Sequence, residues 1–148
     1  MQFSEAGFDL LKRSEGFRGH VYLDVGGLPT IGYGHRLLHP DSFVNGIDQD
    51  QAQNLLVADV NNAAGAVQRL VRVPLKQGQF DALVDFTFNM GVFRLAGSTL
   101  LRELNAGQYD LAGQQLLLWD HGVIYGAEVE LAGLKARRLA EFALWNQE

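Results

Sequence analysis

The stretch from Asp48 to Pro74 constrains the fold more than any other part of the chain. Ala52, Leu56, Val60, Ala63, Val67 and Leu70 recur at steps of four and three, the spacing that gathers one face of an α-helix. Asp48 followed three positions later by Gln51 has the form of a capping box, and Val73-Pro74 ends the run. About 22 helical residues at ~1.5 Å each extend over roughly 30 Å, enough to bridge a small β-containing lobe and a helical lobe.

The flanking segments supply those lobes. Ser4 is a good N-cap, and Phe3 and Phe8 occupy the two positions of a hydrophobic staple, so a helix is expected from Ser4 to Ser14 or Glu15. Gly16 ends it, leaving Glu15 at a helix C-terminus, where the helix dipole disfavours an ionised carboxylate. From Phe17 to His35, β-prone pieces around Val21, Tyr22, Leu28 and Ile31 alternate with glycines, which predicts a hairpin. Leu38 to Gly46 reads as a surface loop containing Pro40 and Asp41.

After Pro74 the pattern predicts helices only: Gln77 to Asn89, Ser98 or Thr99 to Leu104, Tyr109 to Trp119 and Leu131 to Trp145. Asn105-Ala106-Gly107 and Asp120-His121-Gly122 are the breakers. The fold class is therefore α+β and predominantly α-helical, in one domain over 1–148. Its N-terminal α+β lobe spans about 14–47 and its connecting helix about 48–72. An all-helical lobe spans about 74–148, with helix 4–14 packed on it. A cleft between such lobes is the natural place for a ligand.

Composition removes several functions. The chain has 148 residues and no cysteine, which excludes disulfides and thiolate metal sites. Lys and Arg number 12 against 17 Asp and Glu, and the excess acid lies in residues 41–130. Polyanion binding is disfavoured, and no basic stripe suggests nucleic acid. No window approaches the ~20 apolar residues of a membrane span, and no export signal is evident, so synthesis in the cytoplasm without stable membrane insertion is expected. His35 and His39 lack the Glu of a zinc-protease motif, and no Gly-Lys-Ser/Thr follows Gly32-Tyr33-Gly34. No metal or other cofactor is expected.

The informative constellation is Glu15, Asp24 and Thr30, with eight and then five residues between them. Glycoside hydrolysis needs a proton donor for the leaving oxygen and a second carboxylate that activates water or attacks the anomeric carbon. A helix end and burial favour the protonated form of Glu15, while a solvated turn keeps Asp24 ionised, so the pair can supply an acid and a base. Two carboxylates at this spacing occur in almost any soluble protein, however, and a lone Thr in a strand means little.

What raises the pattern is its setting. The run Tyr22-Leu23-Asp24-Val25-Gly26-Gly27-Leu28-Pro29-Thr30-Ile31-Gly32-Tyr33-Gly34-His35 resembles the signature of phage-type lysozymes, the endolysins of glycoside hydrolase family 24. The resemblance continues through Gln79-Phe80-Asp81-Ala82-Leu83, Phe88-Asn89-Met90-Gly91, Ser98-Thr99-Leu100-Leu101-Arg102 and Gly133-Leu134-Lys135-Ala136-Arg137-Arg138.

That resemblance implies a phage-lysozyme-like fold and cleavage of the β-1,4 bond between N-acetylmuramic acid and N-acetylglucosamine in peptidoglycan, with inversion. It implies Glu15 as general acid, Asp24 as the carboxylate that activates water, and Thr30 as a hydroxyl holding that water. Phe88, Asn89 and Arg36 are the implied substrate contacts, although Phe88 fits equally well into an apolar stripe with Phe80, Leu83 and Val84. An ion pair between His35 and Asp59 is implied, as is contact of either Arg137 or Arg138 with Glu15 while the other meets the surface. A monomer is expected, released to the wall through a separate pore former, the holin. Relatives are often strongly basic, and this acidic chain departs from them, which weakens electrostatic steering to the anionic wall. Two other readings remain open: a lytic transglycosylase, which makes a 1,6-anhydro product with one Glu, and a non-catalytic wall-binding module.

Overall fold

The structure is a computed structural model that describes residues 1–39, 42–124 and 127–147. Helix α1 spans Glu5–Glu15, followed by strands β1 (Arg18–Leu23), β2 (Pro29–Gly32) and β3 (His35–Arg36), and by the long helix α2 (Gln49–Leu70). Helices α3 (Gln77–Met90), α4 (Val92–Ala96), α5 (Thr99–Asn105) and α6 (Tyr109–Leu116) come next. A hairpin of β4 (His121–Ile124) and β5 (Ala127–Glu130) then precedes α7 (Ala132–Trp145).

The capping motifs form as the sequence requires. Asp48 Oδ1 accepts from Gln51 N at 2.8 Å and Gln51 Oε1 accepts from Asp48 N at 2.9 Å, closing the box at the start of α2. Ser4 Oγ accepts from Gly7 N and donates to Asp81 Oδ2 at 2.5 Å, so the N-cap of α1 also ties that helix to α3. The Phe3 and Phe8 rings meet edge to face at 4.9 Å. Gly16 N donates to Lys12 O and closes α1 immediately after Glu15.

Helix α2 belongs to two cores. Near its start, Ala52 packs with Ile31 and Ile47 beneath the sheet. Further along, Leu56, Val60, Ala63 and Val67 enter the main core with Leu10 and Leu11 of α1, Leu83 of α3 and Trp145 of α7. The bridging role expected from its length is thus carried out by one apolar stripe facing two clusters in turn. Helix α3 is surrounded: every residue from Gln79 to Thr87 is buried, which makes it an all-round core helix instead of an amphipathic one.

Three expectations fail in the C-terminal part. The region is not all-helical, because β4 and β5 pair antiparallel with His121 opposite Glu130. The breaker at Asp120-His121-Gly122 therefore opens a strand, where the sequence signals marked only the end of a helix. Helix α6 stops at Leu116, three residues before Trp119, and α4 fills most of the stretch between Asn89 and Ser98, where no element was expected. Pro40 and Asp41 of the expected surface loop lie outside the described residues.

Candidate active site

A cleft of about 1030 Å³ opens between the β1–β3 sheet, the end of α1, the C-terminal end of α3 and the start of the β4–β5 hairpin. Its lining includes Glu15, Asp24, Thr30, Arg36, Phe88 and Asn89, so all six residues selected from the sequence meet in one cavity. The volume suits an extended ligand.

The hairpin positions its residues by local backbone bonding. Asp24 begins a tight turn in which Gly27 N donates to its carbonyl and Asp24 N donates to Leu28 O, both at 2.9 Å. Within the turn, Asp24 Oδ1 accepts from Gly26 N at 2.8 Å and from Leu28 N at 2.9 Å. Oδ1 is thereby occupied, and Oδ2 lies 3.8 Å from Arg36 Nη2. Strand register supplies the rest: Tyr22 stands opposite Thr30, and Thr30 opposite Arg36, forming one row across the sheet. Residues so paired share a face, which explains why three positions distant in sequence all reach the cleft. Thr30 Oγ1 is buried and donates to Leu28 O at 2.9 Å, so its lone pairs remain available to accept from a ligand or water.

Glu15 is held by groups far away in the chain. Its Oε1 accepts from Arg137 Nη1 at 2.5 Å. Its Oε2 lies where Gly34 presents no side chain: a Cβ there would stand 2.6 Å from that oxygen, and Gly34 has φ +75°. A glycine is needed at this position for both reasons. Arg137 also donates from Nε and Nη2 to Asp85 Oδ2 and Oδ1 at 2.8 and 2.9 Å. Burial opposes the charge on Arg137, but Asp85 and Glu15 outweigh it and hold the guanidinium firmly protonated. Arg137 is thus the arginine whose contact with Glu15 the resemblance implied, and it shares its guanidinium with Asp85.

Arg138 does not meet the surface. It is 1% exposed, donates from Nη2 to Asn89 Oδ1 at 2.7 Å, lies 2.8 Å from Glu141 Oε1 and stands 5.1 Å over the Phe86 ring. The resemblance implied that one of the two arginines meets the surface; neither does, because α7 turns this edge into α3. Burial chiefly lowers the proton affinity of Arg138, with Glu141 opposing that effect. The Arg138 bond orients the cleft amide of Asn89. Phe88 both lines the cleft and packs on the main core, so the two positions considered for it are compatible. His35 Nδ1 donates to Asp59 Oδ2 at 2.7 Å, tying β3 to α2 as the resemblance implied.

Sequence reasoning missed Tyr22, whose phenol lines the cleft and is raised in proton affinity by burial and by the nearby Glu15. It also missed Asp85 and Glu141, which are fully buried behind Glu15. Asp81 and Asp85, four apart within the apolar run of α3, were the available signal, since unpaired acids do not persist in a core helix.

Comparisons with known proteins agree with this architecture. The phage lysozyme family model matches residues 12–141. An endolysin of Acyrthosiphon pisum secondary endosymbiont phage 1 is 37% identical over 146 residues, covering 99% of both chains. The endolysin of Salmonella phage P22 is 43% identical over 122 residues, covering 80% of this chain and 84% of the relative. Among solved structures, the muramidase domain of SpmX from Asticcacaulis excentricus superposes with a TM-score of 0.90 at 35% identity over 99% of each chain. With this cleft, this fold and a match spanning most of its length, the chain belongs to the phage lysozyme family.

Proposed function

We propose that this lysozyme, a glycoside hydrolase acting on bacterial peptidoglycan, cleaves the β-1,4 bond between N-acetylmuramic acid and N-acetylglucosamine with inversion of configuration. Glu15 donates its proton to the glycosidic oxygen as the bond to the anomeric carbon breaks. A water then bonds to that carbon from the opposite face and gives its proton to Asp24 Oδ2, the oxygen left free by the turn. Thr30 Oγ1 accepts the second hydrogen of the same water, its own proton being committed to Leu28 O. The developing positive charge on the sugar ring is stabilised by the Asp24 carboxylate. Asn89, Phe88 and Arg36 hold the sugars along the cleft.

The observation that carries this reading is the convergence of Glu15, Asp24 and Thr30 on one cleft, with donor and base held by independent scaffolds. The single-domain reading over 1–148 is part of the proposal and is supported by α2, which contributes to both cores. The enzyme acts as a monomer in host lysis, made in the cytoplasm and reaching the wall through holin pores. No helix among the described residues is long and apolar enough to cross a membrane.

The test is a turbidity assay on permeabilised Gram-negative cells with wild type and Glu15→Gln. Removal of a general acid lowers the rate by about 10²–10⁴-fold. Undiminished lysis by the variant would support the wall-binding reading instead, and a 1,6-anhydro product would support transglycosylation.

A further inference from the structure

Behind the cleft, at the junction of α1, α3 and α7, three acids and two guanidinium groups are packed together. Arg137 grips Asp85 with two nitrogens and presents the third, Nη1, to Glu15. The side chains of Arg137 and Asp85 are 5% and 0% exposed. Two parallel hydrogen bonds to a carboxylate fix the plane of a guanidinium, so the direction of its remaining N–H groups is set as well. The Glu15 carboxyl has one oxygen on that fixed donor and the other against the bare backbone of Gly34.

We propose that Asp85 is the positioning residue of the proton donor: it clamps Arg137 against Glu15 and divides the guanidinium charge between two carboxylates, so that Glu15 can carry a proton beside a permanent cation. This rests on the reading of Glu15 as the general acid. A guanidinium facing one carboxylate favours the ionised form by about one to three pH units. A second carboxylate on the same guanidinium opposes that bias, and Asp85 is placed to do so through a desolvated medium.

The charged and titratable surroundings are consistent with this division. Glu15 faces Arg137 from α7, with Asp85 behind it on α3, and from the hairpin Tyr22 lies within the field of Glu15, Arg18 and Asp24. His35, Arg36 and Asp59 line the same cleft on the sheet and α2 side, and Arg94 and His121 line it on the other. Asp85 faces Arg137, Arg138 and Glu141, all on α7. Burial, aided by Asp85 and opposed by Arg138, raises Glu141 well above the usual carboxylate range. Glu141 Oε1 lies 2.8 Å from Arg138 Nη2, so the third acid of the cluster faces its second guanidinium.

The experiment combines the pH profile of kcat/KM on peptidoglycan with a ¹³C NMR titration of the Glu15 carboxyl in wild type, Asp85→Asn and Asp85→Glu. Asp85→Asn is expected to move both the alkaline limb and the Glu15 midpoint to lower pH by about one unit, with KM within about twofold of wild type. Asp85→Glu, which keeps the charge, is expected to return both toward wild type. A folded Asp85→Asn variant with unchanged limb and midpoint would overturn the proposal, as would an Asp85→Glu variant displaced as far as Asp85→Asn. If Asp85→Asn does not fold, the wild-type titration decides. A Glu15 resonance with a second inflection from the Asp85 cluster supports the proposal, and a single simple curve overturns it. Loss of lysis in Glu15→Gln is measured alongside, so failure of the acid assignment is separable from failure of the clamp.

Discussion

The two carboxylates of the cleft are held in opposite ways. Asp24 sits in a turn of five residues, and every atom that fixes it belongs to positions 24–28 or to the adjacent strands. Glu15 is fixed by Arg137, which lies 122 positions away, and through it by Asp85. A locally built carboxylate can be replaced with little effect on the rest of the molecule. A carboxylate held by a buried ionic cluster is coupled to the stability of the core. In the proposed mechanism the two halves of the reaction are thus mounted on scaffolds with different failure modes, and substitutions should separate them.

The largest effect is expected from Arg137→Ala, which leaves Asp85 and Glu15 without their cation. Removing one partner of a buried pair costs about 3–5 kcal/mol, to be read by urea denaturation, and activity should fall with it. Asp24→Asn should show the contrasting behaviour. Its amide oxygen still accepts from Gly26 and Leu28, so the denaturation midpoint should barely move while kcat drops about 10²-fold or more. A large loss of stability in Asp24→Asn would break the comparison.

Gly34→Ala sharpens it from the hairpin side. The added Cβ meets Glu15 Oε2, and the left-handed backbone costs about 1–2 kcal/mol, so stability and kcat should both decline. The smallest change is expected from Glu141→Gln. A carboxyl raised by burial is protonated in the folded chain and ionised in the unfolded one, so its contribution to stability is lost as pH rises above the ordinary carboxylate value. The variant lacks this dependence. It should therefore match wild type near pH 4 and lose less stability than wild type between pH 5 and 8, as followed by thermal unfolding.

The contrast between the two scaffolds also explains what could be read in the sequence. The capping box of Asp48 and Gln51, the staple of Phe3 and Phe8 and the turn at Asp24 are short-range arrangements whose geometry follows from residue type and spacing. The row Tyr22, Thr30, Arg36 needed strand register, which the glycine-punctuated run identifies only approximately. The acids in the apolar run of α3 signal that Asp85 needs a partner, but nothing within α3 or α7 alone names Arg137 and Glu141 as the groups that meet it across the core. That neither Arg137 nor Arg138 meets the surface was not legible for the same reason: a charge run on one helix usually faces water, and here a second helix covers it. The β4–β5 hairpin was missed because the breaker before it marks the end of α6 equally well.

The direct test of the account is the configuration of the newly formed reducing end, observed by proton NMR in the first moments of hydrolysis, before mutarotation. Attack by a water held between Asp24 and Thr30, with Glu15 protonating the leaving oxygen, predicts the α-anomer from the β-linked glycan. Initial release of the β-anomer would mean that a carboxylate bonds to the sugar, and would contradict the roles assigned here to Asp24 and Thr30.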